Sequence, residues 1–272
     1  MKVGRPFPLF LKTILSAALC LALVFMLVAC ATAPELEVDY ELDPAYEETI
    51  ATEVSTLPLI RVAALESDDL LPLKVAQEEG LLELRGLNVE VLNFETADEK
   101  HNAFTRGAAD ALISDMVDLA LLTEEGLTVY AVAVTQDSTN TANTLHSTHF
   151  EIPEDLITQR VLAFNQDFLL GNTASGEDTA PEAAAEAVST LIAALGQAVG
   201  QINAAAHAYL DLYLEQGVIA HYIYGEPVVP TYPFPELPDR EEGEALLRWL
   251  HDNNKLQRVI GYDDLTFVPS AP

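Results

Sequence analysis

The chain has 272 residues, half of them hydrophobic, with a formal net charge of −30 and a sequence pI near 4.2. Such an excess of acid argues against nucleic-acid binding, because phosphate contacts require lysine and arginine. It also disfavours electrostatic adhesion to anionic lipid, while it says little about a small-molecule ligand.

The first 29 residues have the anatomy of a secretory signal peptide. Three basic residues precede an almost wholly apolar run over 13–29. The run ends in Leu27-Val28-Ala29-Cys30, the bacterial lipobox pattern in which the cysteine is acylated before cleavage. The alternative is a transmembrane anchor, because the run is about as long as the shortest bilayer spans. The lipobox favours a lipoprotein leader over 1–29, with lipidated Cys30, bearing palmitate or a similar chain, as the membrane anchor.

Residues 30–58 predict an acidic tether. The segment is rich in Asp and Glu, contains no Lys or Arg, and shows no convincing periodicity. Charge of one sign extends such a chain and prevents it from burying a core. We therefore expect it to hold the folded part away from the membrane.

Strands and helices alternate strictly from residue 59 onward. Hydrophobic runs and β-rich alternation predict strands over 59–65, 87–94, 109–114 and 127–135. Helical patterns closed by glycine predict helices over 72–79, 97–107 and 115–126. This order is typical of the α/β class, with a mixed, mostly parallel sheet and helices on both faces.

The second half of the chain is less regular. A strand is predicted over 160–170, and a T-x-x-E capping box at Thr179–Glu182 predicts the start of a long amphipathic helix that reaches Ile202. Five prolines over 226–238 require an extended segment. A last helix is predicted over 240–254, so helices close the chain.

Several short motifs together resemble one protein family. They are P-L-x-V-A-x-E-x-G-L from Pro72, G-L-x-V-E-V from Gly86, and G-x-A-D-A-x-I-x-D from Gly107. In this order behind a lipobox, they resemble the substrate-binding lipoproteins of ABC importers for nitrate, sulfonate, taurine and thiamine-precursor-type ligands. The resemblance covers about 59–135 and 147–268. It implies a type II periplasmic-binding-protein-like lobe.

That family implies a two-lobed clamshell with the second lobe inserted after the fourth strand. Here only residues 136–158 separate that strand from the returning one, whereas a second lobe needs at least ~50 residues. We therefore expect 59–135 and 159–272 to form lobe one, with 136–158 as a short remnant in place of lobe two.

Candidate ligand-binding residues follow from the strand order. Ligands of such sheets bind at the carboxyl ends of the strands, and in the resembled family the loops after strands one and three line the cleft. The residues that occupy these loops, with one after strand two, are Glu66, Ser67, Asp68, Thr96, Ser114 and Asp115.

The acidic candidates have a second interpretation. Helix capping would equally explain Asp68 and Asp115, whereas Glu66 and Ser67 have no obvious capping role. Carboxylates at this edge suit a cationic or hydroxyl-rich ligand, but helix N-termini favour anions. The sign of the ligand charge is therefore open at this stage.

Metal and catalytic sites are not expected. His146, His149 and Glu151 have spacing that could hold zinc, but they lie in a polar loop rather than on a fixed scaffold. The sequence contains no G-x-S-x-G, phosphate-loop or H-E-x-x-H motif. We expect no enzyme activity, no cofactor and no structural metal.

The combined expectation is a lipid-anchored, extracytoplasmic solute-binding component of an ABC importer. Its partners would be a small-molecule solute, an ABC permease and, through Cys30, the membrane. The alternative is a single-lobe interaction or vestigial lipoprotein that no longer captures solute. A single lobe encloses less of a ligand than a closed cleft, which favours weak binding.

Overall fold

The computed structural model describes residues 57–136, 152–153, 156, 159–215, 221–223 and 226–269. The signal peptide, Cys30 and nearly all of the predicted tether lie outside the described residues, as does most of 136–158. The described residues belong to one compact unit.

The strands of the main sheet are β1 (Ile60–Leu65), β2 (Val89–Phe94), β3 (Ala111–Asp115), β4 (Val129–Gln136) and β5 (Arg160–Asn165). Their spatial order is β2-β1-β3-β5-β4. β1 pairs in parallel with β2 and β3, whereas β5 runs antiparallel between β3 and β4. Four strands therefore point one way and one is reversed, which confirms the predicted mixed, mostly parallel sheet.

The helices are α1 (Leu71–Glu78), α2 (Ala97–Thr105), α3 (Met116–Glu124), α4 (Gln166–Leu169), α5 (Pro181–Ala204), α6 (Leu210–Glu215) and α7 (Arg240–Asp252). Short 3₁₀ turns occupy Asp68–Leu70, Glu83–Arg85, Ala206–Tyr209 and Tyr262–Asp264. A two-stranded hairpin, β6 (His221–Ile223) with β7 (Glu226–Val228), was not predicted from the sequence.

Two apolar cores lie on opposite faces of the sheet. Helices α1 and α5 pack on the face that carries Ile60, Val62 and Ile113. Helices α3 and α7 pack on the face that carries Ala63 and Leu112. Adjacent strand residues enter different cores because side chains alternate across a sheet. The result is the three-layer arrangement expected for this fold class.

Helix α5 is the one described helix that is long and apolar enough to cross a membrane by length and composition. Nine of its residues are buried, among them Val188, Leu191 and Val199, and they belong to the α1–α5 core. The helix therefore packs as a core element of the domain.

Some predicted boundaries and caps were wrong. Residues 166–169 are helical rather than part of a strand over 160–170, because Asn165 accepts a hydrogen bond from Phe168 N and caps a new helix. Ala180 occupies the N-cap of α5, and no side chain caps it, so Thr179 and Glu182 do not form the predicted capping box there. Pro181 still begins the helix, as its fixed φ favours.

The outer edge of β4 is covered by other parts of the chain. Ala131 N donates to Leu265 O at 2.7 Å, and Phe267 N donates to Ala131 O at 3.0 Å. Val134 N donates to Glu236 O at 2.7 Å. These bonds satisfy backbone groups that an edge strand would otherwise expose, and they bring the proline-rich segment to the end of the sheet.

Candidate functional site

Polar side chains meet where the parallel strands end and β5 begins. We call this group the strand-end cluster; it consists of Ser67, Asp68, Asp69, Lys100, Ser114, Asp115, Asp118, Gln136 and Arg160. All except Arg160 are buried, and the Arg160 side chain is only 12% exposed. With every group ionised, four carboxylates against two cations leave the cluster with a formal charge of −2.

Arg160 is the central cation of the strand-end cluster. Its Nε donates to Asp69 Oδ2 at 2.8 Å, and its Nη1 lies 3.7 Å from Asp115 Oδ2. Burial alone would lower the pKa of Arg160, but the two carboxylates outweigh it and raise that pKa further above its usual range. The guanidinium is therefore permanently charged and held by the chain's own acids.

Asp115 has two roles in the cluster. Its Oδ1 accepts from Val117 N at 3.0 Å and Asp118 N at 2.9 Å, so it caps α3. Burial, reinforced by the nearby Asp118 charge, raises the pKa of Asp115 to about 6, although Arg160 opposes the shift. The capping interpretation of Asp115 is thus correct, and the same carboxylate also contacts the central cation.

Lys100 brings a second cation into the cluster from α2. Its Nζ donates to Ile113 O at 2.7 Å and to Ser114 Oγ at 3.3 Å. Ser114 Oγ in turn donates to Asp118 Oδ2 at 2.5 Å. Burial, together with the Arg160 charge, lowers the pKa of Lys100 to about 8, although the neighbouring carboxylates oppose the shift. This ammonium therefore begins to titrate close to neutral pH.

Asp68 does not cap a helix, so the capping interpretation is wrong for this residue. It lies in the 3₁₀ turn before α1, whose N-cap is Leu70 without a side-chain hydrogen bond. The Asp68 carboxylate instead accepts from Gln136 Nε2 at 2.6 Å, across 68 positions of sequence. Neighbouring Ser67 Oγ donates to Leu65 O and Asp69 Oδ1.

Four of the six predicted site residues therefore lie in the strand-end cluster: Ser67, Asp68, Ser114 and Asp115.

The other two predicted residues lie outside this network. Glu66 is exposed at the end of β1. Thr96 is also exposed, and its Oγ1 accepts from Glu99 N at 3.2 Å, so it caps α2. The helix cap is a structural role that accounts for Thr96 without a ligand. The Glu66 side chain lies at the rim of the strand ends and has no hydrogen bond or ion pair to another described residue.

A strap of extended chain crosses the strand ends; we define it as residues Tyr232–Pro238. Tyr232 OH donates to Asp68 O at 2.7 Å, and the Tyr232 backbone exchanges two hydrogen bonds with the Asn203 side chain. At the other end, Pro238 O accepts from Tyr262 OH at 2.5 Å. Burial is the first cause that raises the pKa of Tyr232 well above its usual value, so its hydroxyl stays protonated as a donor.

A small cavity lies between the strap and the strand ends. Its volume is about 10 Å³, which is room for one water molecule. Eight of its ten lining residues are apolar, and the polar two are Asp69 and Thr135. The Thr135 hydroxyl is buried without a hydrogen-bond partner among the described residues.

Sequence reasoning missed Asp69, Lys100, Asp118, Gln136 and Arg160 as members of the cluster. Arg160 begins a strand, and only its reversed direction brings it to the ends of the parallel strands. Lys100 looks like a surface residue of a short helix. Only the Asp118 contact had a local indication in the sequence. Asp118 lies four residues after Ser114, in the first turn of the predicted helix, which places its carboxylate near the end of β3.

The described residues contain no group of three His, Cys, Asp or Glu side chains able to hold a metal ion. The alternative zinc ligands, His146, His149 and Glu151, lie outside the described residues. The expectation that no metal binds, and the weaker zinc alternative, thus both stay predictions from the sequence.

Comparisons with solved structures identify the fold. The ligand-binding component of an ABC-type import system from Staphylococcus aureus, solved with zinc bound, aligns with TM-score 0.54 and 9% identity, over 77% of this chain and 96% of that one. The periplasmic aliphatic sulphonate binding protein SsuA from Escherichia coli aligns with TM-score 0.54 and 9% identity, over 79% and 93%. The search of curated proteins finds no significant match.

The fold is therefore that of the periplasmic solute-binding proteins of ABC importers, a class of binding proteins rather than enzymes. Within it, the family model described as "NMT1/THI5 like" matches residues 67–211, which is just over half of the chain. The chain belongs to the NMT1/THI5-like family. The resemblance and fold class inferred from the sequence are confirmed, and so is the expectation that the chain is not an enzyme.

Proposed function

We propose that this chain is a lipid-anchored, extracytoplasmic solute-binding component of an ABC importer. It captures a small molecule at the carboxyl ends of its parallel strands and delivers it to a membrane permease. The observation that carries the proposal is the strand-end cluster, which places six ionisable side chains at the edge where open α/β sheets bind ligands.

Burying these charges costs free energy, so a gain in stability does not explain why the chain has them. Desolvation of a buried ion costs several kcal/mol, and apolar residues of similar volume are often as stabilising as a buried ion pair. Perturbed ionisable groups also concentrate at functional sites. The pKa values of Asp115 and Lys100 are displaced in opposite directions, which fits a ligand edge better than a purely structural core.

We also propose that the chain has one lobe, with residues 136–158 in place of a second. In support, β4 and β5 are direct antiparallel neighbours in one sheet although this segment separates them. One lobe exposes a bound ligand on at least one side, whereas small-molecule sites normally enclose most of the ligand. Solute affinity of the isolated chain is therefore millimolar or weaker.

The alternative is a single-lobe interaction lipoprotein that does not capture solute. Two observations favour it. The charges of the strand-end cluster are largely bonded to one another, and the adjacent cavity holds only about 10 Å³. On this alternative the cluster organises the strap and the loops as a surface for another protein.

A ligand screen by NMR separates the two proposals, because chemical-shift titration detects millimolar binding. The full chain is titrated with amino-sulfonates, pyrimidines, polyamines and nitrate, with Glu66→Gln as the rim variant and the distant Glu79→Gln as its control. Saturable shifts at the strand ends, weakened by Glu66→Gln alone, support solute capture. The absence of shifts with every solute supports the interaction protein, and micromolar binding by the monomer contradicts the single-lobe organisation.

Membrane anchoring is tested separately. Cys30→Ser removes the acylation site, so the chain is expected to lose labelling by a palmitate analogue. Because acylation precedes cleavage, the variant should also keep its leader and migrate as a larger precursor. Cys20→Ser, within the leader, is the control. A parent chain that takes no palmitate label and keeps its leader would support the transmembrane-anchor alternative instead.

A further inference from the structure

The cavity beneath the strap is lined mostly by apolar residues and by one hydroxyl, that of Thr135, which has no hydrogen-bond partner among the described residues. Its apolar lining comes from α1, α5, the sheet and the strap: Pro72, Leu73, Ile113, Val134, Leu162, Leu195, Val199 and Pro235. Of its two polar residues, Asp69 is bonded to Ser67 and Arg160. Thr135 is 8% exposed, and its Oγ1 has no partner among the described residues.

An unpartnered buried hydroxyl needs a reason, because leaving such a group unbonded costs stability. Valine has nearly the same shape and would fill the position without that cost. A hydroxyl that lines a cavity is explained if it bonds a group that enters the cavity. One water molecule is the smallest such group, since the present volume admits no more.

The charges around the cavity argue against an anionic ligand. Arg160, which could hold an anion, is already bound to Asp69 and Asp115, and the N-terminal amides of α3 are bonded to Asp115. A sulfonate or carboxylate would displace these internal carboxylates and add to a cluster whose formal charge is already −2.

The same contacts argue against a cation. The carboxylate of Asp69 is neutralised by Arg160 at 2.8 Å, so an ammonium group would have to break that buried pair to gain its own counter-ion. The remaining lining offers one hydroxyl and apolar carbon, which cannot solvate a charge. A neutral group that can hydrogen-bond to a hydroxyl is the best match.

Entry to the cavity is controlled by the middle of the strap. The strap is anchored at Tyr232, bonded to Asn203 and Asp68, and at Glu236, bonded to Val134. Between these anchors lie Pro233, Phe234 and Pro235. The two prolines have no N–H to donate. Phe234 is 58% exposed, and among the described residues its carbonyl is bonded to Glu236 N alone. Pro235 can therefore move off the cavity while both anchors hold.

We propose that this cavity binds a small, uncharged solute with an apolar body and one hydroxyl or carbonyl group, held by Thr135 and admitted by displacement of Pro235. The inference rests on the proposed function and specifies its solute class. It also explains the strap: the bound molecule is covered by the chain's own segment, which supplies within one lobe part of the enclosure that a second lobe would give.

The test compares three probes of equal chain length on the purified full-length chain: n-butanol, n-butylammonium and n-butanesulfonate. Isothermal titration and chemical shifts near Thr135 report binding. We expect saturable binding of n-butanol only. Thr135→Val should weaken it at least fivefold. The matched control is Thr123→Val, because Thr123 Oγ1 is also buried without a partner among the described residues but does not line the cavity.

The results of this test separate a failure of the neutral-solute proposal from a failure of solute capture itself. Binding of n-butylammonium or n-butanesulfonate in preference to n-butanol overturns the neutral class but leaves solute capture standing. Equal n-butanol affinity in the Thr135→Val and parent chains overturns the role of this cavity. If n-butanol does not bind while a solute from the NMR screen does, the cavity holds water only and the solute site lies elsewhere at the strand ends.

Discussion

Arg160, the first residue of β5, donates its Nε to Asp69 Oδ2 at 2.8 Å across 91 positions of sequence. The pair joins the reversed strand to the turn after β1, and both side chains are almost fully buried. This contact thus links β5 to the turn after β1 at the candidate ligand edge.

Removal of that cation should be costly. Arg160→Met leaves Asp69 and Asp115 buried without their counter-ion, and such a loss typically costs about 3–5 kcal/mol. Urea unfolding measures the change in the free energy of unfolding. Arg240→Met is the control, because Arg240 also contacts two carboxylates but is exposed, and its loss should be far smaller. Equal losses in the two variants would contradict a central role for Arg160.

Asp115 should make the protein less stable as pH rises through its titration. The folded state raises the pKa of Asp115 from 3.8 to about 6, so between these values the folded chain binds the proton more tightly than the unfolded chain. Stability from this group therefore falls across about pH 4–6, by at most about 3 kcal/mol. Asp115→Asn should remove this component from the urea-unfolding pH profile, and Asp98→Asn on the exposed start of α2 should not. Parallel profiles for Asp115→Asn and the parent would refute the shift.

Lys100 should make the protein more stable as pH rises through the alkaline range, the opposite of the effect of Asp115. Its pKa falls from 10.5 to about 8 in the folded state, so the unfolded chain binds the proton more tightly between these values. Stability from this group therefore rises from about pH 8 to pH 10.5, by at most about 3 kcal/mol. In Lys100→Met that rise should disappear, whereas Lys74→Met on α1 should retain it. A rise that persists in Lys100→Met would place its origin in another group.

Tyr232 should govern the opening of the strap. Tyr232→Phe removes the bond to Asp68 O and should cost about 1 kcal/mol of stability. Hydrogen exchange at the Val134 amide, which is bonded to Glu236 O in the strap, should become faster. The control is Tyr209→Phe, because the Tyr209 hydroxyl makes a long, exposed contact of 3.5 Å with Glu79. Unchanged Val134 exchange in Tyr232→Phe would show that this bond does not hold the strap closed.

Two glycines in one loop should respond differently to alanine. Gly171 has φ +94°, and an added Cβ would lie 2.1 Å from Thr179 O, whereas Gly176 has φ +80° with open space around it. Gly176→Ala should cost about 1–2 kcal/mol for the left-handed backbone alone. Gly171→Ala should cost clearly more, because the loop must also shift. Similar thermal unfolding midpoints for the two variants would contradict the close approach at Thr179.

The sequence predicted the five strands of the main sheet well, because each is a short apolar or alternating run bounded by glycine, polar turns or a helix start. It did not predict the β6–β7 hairpin. It also predicted that Ser67, Asp68, Ser114 and Asp115 follow strands whose ends meet. It could not predict that Asp68 bonds Gln136 rather than a helix N-terminus, because either partner satisfies a carboxylate and only packing brings Gln136, 68 positions away, next to Asp68.

By itself the sequence determined the fold class, because the alternation of β and α periodicity leaves few topologies. The lipobox and the family resemblance also needed no structure. The tertiary structure alone decided which charges are paired. Arg160 reaches Asp69 because β5 inserts antiparallel between β3 and β4, and Lys100 reaches Ser114 because α2 packs against the sheet. Ionic contacts of this range depend on strand direction and burial, which no local pattern of residues encodes.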